Sequence, residues 1–118
     1  MRQLSWAATN TIDAGYGTLF YINGTATSGW TLNITNVPTV TDEGSDFVME
    51  FVVVYTNGSA TTYIPSTTVF VNGTAVTATV SNTVTTTFAT VTAKYVVMRR
   101  SNVWYVYGYQ TTSLPLAF

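Results

Sequence analysis

The run Phe47-Val48-Met49-Glu50-Phe51-Val52-Val53-Val54-Tyr55 decides how the rest of the chain is read. Valine and aromatic side chains fill it, and such residues crowd a helix but fit a pleated surface. A strand with one face in water alternates apolar and polar positions. Here only Glu50 interrupts the apolar character, so both faces of the strand are apolar. Such a strand is either central with both faces covered, or it lies at a subunit interface.

Composition extends the strand reading to the whole chain. Of 118 residues, 25 are Thr, 16 Val and 4 Ile. Only 8% are charged and the formal net charge is −1, whereas ordinary domains carry about 25% charged residues. No charged residue lies between Asp13 and Asp42, or between Glu50 and Lys94. The polar surface must therefore come from Thr, Ser, Asn and backbone. A surface of this kind lacks the usual protection against association. It is read as a surface covered by copies of the chain or by a larger assembly, the alternative being an ordinary neutral β-domain.

The alphabet also excludes function classes. There is no Cys and no His, which removes disulfides, thiolate metal sites, cysteine nucleophiles and imidazole bases. The serines have no Gly-x-Ser-x-Gly elbow, so neither a catalytic residue nor a cofactor is expected. One Lys and three Arg do not make a phosphate-tracking stripe, and nucleic acid is not an expected partner. No apolar run nears the ~18 residues of a membrane helix. Met1-Arg2-Gln3-Leu4-Ser5 leads into polar residues without the apolar region of a secretory signal, so a soluble product of a cytoplasm is expected.

Turn signals divide the chain. Asn23-Gly24, Asn57-Gly58 and Asn72-Gly73 suit type I′ turns, which need positive φ at both central residues. Strands are predicted over 18–23, 30–34, 46–55, 66–72, 74–80, 87–99 and 102–112. The expected architecture is all-β: one domain over residues 1–118, a jelly-roll-like β-sandwich of about seven or eight antiparallel strands. In the last strand Val103, Tyr105, Tyr107 and Tyr109 share one face, while Trp104, Val106 and Gly108 share the other. Arg99-Arg100-Ser101-Asn102 forms the polar turn before it. Phe20-Tyr21-Ile22-Asn23-Gly24-Thr25-Ala26 echoes Val69-Phe70-Val71-Asn72-Gly73-Thr74-Ala75, which two hairpins of one turn type would explain.

Few residues offer chemistry. Asp42, Glu43 and Asp46, with Glu50 beyond, could hold a hard cation, but they lack EF-hand spacing and are read as a solvated connection instead. As a glycosidase pair they would need an apolar pocket for the proton donor. Arg99 and Arg100 could grip a partner's carboxylate or phosphate. Trp30, Trp104, Tyr105 and Tyr107 could stack on sugar rings, against the competing reading of core and interface packing. The four sequons at Asn23, Asn33, Asn57 and Asn72 are expected by chance in a chain rich in Asn and Thr.

Several stretches in order carry a resemblance. They are Asn23-Gly24-Thr25-Ala26-Thr27-Ser28-Gly29-Trp30-Thr31-Leu32-Asn33-Ile34-Thr35-Asn36-Val37-Pro38, then Tyr63-Ile64-Pro65, then Val71-Asn72-Gly73, then Met98-Arg99-Arg100-Ser101-Asn102-Val103-Trp104-Tyr105-Val106. Together they are similar to a family of small β-rich domains in structural proteins of tailed bacteriophages, particularly marine and cyanobacterial phages. The resemblance spans roughly residues 18–108. It implies a virion location and often a homotrimer, and it supplies no catalytic residues. Read as a whole chain, the sequence lacks the attachment and shaft segments of a tail fibre. The expectation is therefore a capsid decoration or cement protein on the head exterior, bound to the major capsid protein and to copies of itself. The alternative is a receptor- or carbohydrate-binding module of a tail fibre or baseplate, with a host glycan as ligand. Expected partner contacts are the apolar ends, Leu4, Trp6, Leu116 and Phe118, together with Arg99 and Arg100.

Overall fold

The central apolar run becomes β5 (Phe47–Thr56), an interior strand of a six-stranded sheet. In a computed structural model, which describes residues 2–38 and 46–112, that sheet has the order β1 (Arg2–Ser5), β3 (Leu19–Thr25), β5, β9 (Thr90–Arg100), β10 (Val103–Thr112), β8 (Thr79–Ser81). A second sheet has the order β2 (Thr9–Asp13), β4 (Trp30–Thr35), β6 (Pro65–Val71), β7 (Thr74–Thr77). The described residues contain these ten strands and one 3-10 turn, Ala14–Tyr16. Asp13 caps that turn, its Oδ1 accepting from Gly15 N at 2.7 Å.

The first six strands alternate between the sheets. β1, β3 and β5 run parallel in one, and β2, β4 and β6 run parallel in the other. The chain thus winds as a flattened coil, and each connection crosses to the opposite layer. Backbone hydrogen bonds stack the crossings: Trp6 N donates to Asn23 O (2.8 Å), Ala26 N to Thr56 O (3.2 Å) and Trp30 N to Ile64 O (3.3 Å). The antiparallel arrangement expected of a jelly roll is corrected here. Among the described residues five pairings, β8 with β10 included, are parallel, and β5–β9, β9–β10 and β6–β7 are antiparallel. The expected strand number is also too low: β1 and β2 were not foreseen, and residues 74–80 divide between β7 and β8 in different sheets.

The reason lies in the turns. Asn72-Gly73 does form a two-residue hairpin, with φ of +48° and +85°, and Ser101-Asn102 forms the other, with +52° and +62°. The remaining Asn-Gly pairs behave differently. Asn23-Gly24 lies within β3, where the register with β5 shifts and Gly24 adopts φ +107°. Asn57 is buried after β5, and its Nδ2 donates to the carbonyls of Val84 (3.1 Å) and Thr86 (3.2 Å). Its amide is a tie between loops.

One core lies between the sheets. Phe20, Phe51, Val53 and Tyr95 face inward from the six-stranded sheet, and Ile12, Leu32, Ile34 and Val69 from the other. Trp30 of β4 meets Tyr55 of β5 edge to face, with centroids 5.1 Å apart at 81°, joining the layers. Such contacts add about 0.5–1.5 kcal/mol beyond area burial.

Candidate interaction surface

The period-2 rule divides β5 into a core row and an outward row. Phe51, Val53 and Tyr55 face the core; of the alternate row, Val48 and Glu50 are exposed, Val52 is half-buried and Val54 is buried. Register then builds a surface around that outward row. Val48 lies beside Met98 and Tyr105, Glu50 beside Val96 and Tyr107, and Val52 beside Lys94 and Tyr109. Leu19 continues the last row on the far side of β5. Val48 is 59% exposed, Tyr107 44% and Tyr109 50%. β5 is interior within its sheet, with core against one face, while the other face is open at Val48 and Glu50 and closes towards Val54.

Glu50 and Lys94 interrupt this face, and exposed Arg100 ends its β9 row. Glu50 Oε2 and Lys94 Nζ lie 3.8 Å apart, both side chains more than half exposed. The outward face of the four-stranded sheet has a different character. Thr9 pairs with Thr31, Thr11 with Asn33 and Asp13 with Thr35, and Asn33 Nδ2 donates to Thr11 Oγ1 at 3.3 Å. One broad face is therefore aliphatic and tyrosine-rich, while the other carries hydroxyls and amides on β2 and β4, with Phe70 and Ala75 beyond them on β6 and β7. Contiguous exposed apolar patches of this extent mark interaction sites on soluble proteins.

The remaining candidate residues are dispersed. Trp30 is buried in the core and presents no ring to a sugar. Tyr105 and Tyr107 stand on the outward face, while Trp104 points the other way, half-buried against Phe47 with centroids 6.0 Å apart at 90°. Leu4 and Trp6, expected as partner contacts, pack against the domain's own core and fasten β1. Leu116 and Phe118 lie outside the described residues, as do Asp42 and Glu43. Asp46 serves the fold, its Oδ1 accepting from Ser101 N at 3.1 Å to hold the β9–β10 turn. The most buried tyrosine hydroxyls belong to the core. Burial pushes Tyr95 up to about 12 and Tyr55 further still, with Tyr95 adding to the rise at Tyr55.

Arg99 and Arg100, adjacent in sequence, are separated by the same alternation. Arg100 is exposed at the turn, and Arg99 lies in the inward row that begins Val91-Ala93-Tyr95-Val97. The Arg99 guanidinium stacks on Trp104, 4.6 Å from the ring centroid. Both line an open cleft of about 520 Å³ together with Thr74–Thr77 of β7, Asn102 and Val103. Sequence reasoning missed this cleft. Its signal was present in the inward row, where a cation occupies a position that valine, alanine and tyrosine hold before it. In comparisons with protein-family models, curated proteins and solved structures, none matches the chain.

Proposed function

We propose that the chain is a non-enzymatic structural protein that works by adhesion, and specifically a bacteriophage capsid decoration protein. The observation that carries the adhesive part is the open apolar face built on Val48, Val96, Tyr105, Tyr107 and Tyr109. Four strands at ~4.8 Å spacing and ten residues at ~3.4 Å rise give roughly 650 Å² per face. Two such faces cover on the order of 1,300 Å², above the ~1,000 Å² that specific interfaces need. The occupant is another copy of the chain. The Glu50–Lys94 pair lies within the face and exposed Arg100 ends its β9 row, so charge pairing restricts how a second copy sits on it. A face buried against the same face of one other copy closes a twofold pair, whereas the homotrimer that the sequence resemblance implies sets this face against a different surface of the neighbouring copy.

The phage setting rests on the resemblance in residues 18–108. Binding only the assembled shell stabilises it by mass action without chemistry. The test is copy number in purified virions, by quantitative mass spectrometry against the major capsid protein. A simple fraction of the capsid protein supports decoration. A ratio about a hundredfold lower favours the second reading, a glycan-binding module of the tail, for which Tyr105 and Tyr107 on the open face speak. Absence from virions overturns both.

A further inference from the structure

We infer that the cleft at the β9–β10 turn is a binding site for a carboxylated sugar, a uronic-acid-type unit of an anionic glycan. Arg99 is the observation that singles the cleft out. Its neighbours along the inward row are buried apolar side chains, yet this position carries a guanidinium. A cation turned towards a protein interior is costly unless its donors are hydrogen-bonded. The ion pair between described residues joins Glu50 and Lys94, on the other face of the sheet, and Arg99 has the Trp104 indole as its partner.

Stacking fixes the guanidinium plane, and among the described residues no carboxylate pairs with its edge. A planar fork held this way matches a carboxylate through two parallel N–H···O bonds. The rest of the lining narrows the ligand. Thr74 and Asn102 offer a hydroxyl and an amide in the same cleft, groups that exchange hydrogen bonds with a polyol, while Ala75, Val76 and Val103 add an apolar lining for a ring face. At about 520 Å³ the cleft has small-molecule dimensions. A lone acidic side chain would engage Arg99 and leave the hydroxyl-lined part unused, so the lining favours a sugar acid over an acidic peptide.

The test is an amide NMR titration of the isotopically labelled protein with a galacturonic acid trimer, a neutral galactose trimer and a hexaglutamate peptide. The expected result is saturable binding of the acidic sugar, with shifts concentrated in 74–77 and 99–104. The neutral sugar and the peptide each bind at least about tenfold more weakly, a factor in keeping with one charge-assisted bidentate contact. Arg99→Gln loses about tenfold or more for the acidic sugar, Arg99→Lys loses part of that, and Arg100→Gln leaves it unchanged. No saturable binding, equal binding of the peptide, or shifts centred elsewhere would overturn the assignment. Should Arg99→Gln fail to fold, the three-ligand comparison on the unaltered protein still decides. The site stands independently of the capsid reading, because it needs neither the outward face nor a virion.

Discussion

Glu50 and Lys94 meet diagonally across β5 and β9, 3.8 Å apart, in the middle of a face otherwise built from Val, Met and Tyr. Neither charge is needed by the fold, because both side chains are more than half exposed and exposed pairs contribute little. Their value lies in specificity. On an apolar face, one positive and one negative charge penalise every register that brings like charges together.

Charge reversal tests this directly. Lys94→Glu places two carboxylates where the pair stands, so self-association weakens about tenfold or more by sedimentation equilibrium. The double exchange Glu50→Lys with Lys94→Glu restores it. Unfolding free energies of all three variants stay within ~1 kcal/mol of the parent. Association that is indifferent to the reversal would remove this face from the interface.

Tyr107 lies centrally on the same face, beside Val96 and Thr79. Tyr107→Asp puts a charge where an apolar contact is expected, giving a monomer by light scattering. Asn33→Asp, on the hydroxyl-lined face, leaves the assembly intact. The two substitutions together separate a face-specific effect from a general effect of added negative charge.

The seven segments read as strands from the sequence all contain strand, because alternation and β-branching are local properties. The tyrosine face was legible for the same reason. Layer-to-layer connectivity was not. Phe20-Tyr21-Ile22-Asn23-Gly24 and Val69-Phe70-Val71-Asn72-Gly73 are near copies, yet the second turns back as a hairpin while the first continues in β3. What differs is the long-range partner: β3 has parallel neighbours on both sides, and no hairpin is available to it. The Arg99 cleft stayed hidden because it joins β7 to the β9–β10 turn, elements remote in sequence.

Asn57 gives a sharp stability test. Its side chain is 1% exposed and donates to two carbonyls of the loop that precedes β9. Asn57→Ala leaves the buried Val84 carbonyl without that donor, while the Thr86 carbonyl keeps Ala89 N at 3.4 Å, at ~1–3 kcal/mol for one buried polar group left unpaired. A loss of about 1–2 kcal/mol is expected from urea unfolding, since the unpartnered Oδ1 is removed as well. A loss below ~0.5 kcal/mol would show that water replaces the amide.

Gly58, next in sequence, is demanded by space. A Cβ there would collide with the Ala26 carbonyl and press on the Tyr63 ring at 2.9 Å. Backbone cannot yield as a flexible side chain does, so Gly58→Ala is expected to destabilise by ~2 kcal/mol or more. At Gly73, with open space but φ +85°, alanine meets only backbone strain, a cost of ~1–2 kcal/mol. Thermal unfolding of both variants should rank Gly58→Ala below Gly73→Ala.

Tyr55 and Tyr95 predict how the protein fails in alkali. Their ordinary value is 10.0, and burial raises Tyr95 to about 12 and Tyr55 beyond it. Below pH 10 both tyrosines are neutral in folded and unfolded chains, and their contribution is fully present. Between about pH 10 and 12 the unfolded chain releases protons that the folded chain retains, so stability falls by ~1.4 kcal/mol per pH unit for each tyrosine. The Tyr95 contribution levels off above about 12, while that of Tyr55 continues. The Tyr55 hydroxyl is buried without a hydrogen-bond partner, so Tyr55→Phe is expected to raise stability at pH 8 by ~1 kcal/mol. The variant with both Tyr55→Phe and Tyr95→Phe should lose most of the alkaline slope in urea unfolding followed from pH 8 to 12. A slope that persists undiminished in the double variant would place the titrating groups outside the core.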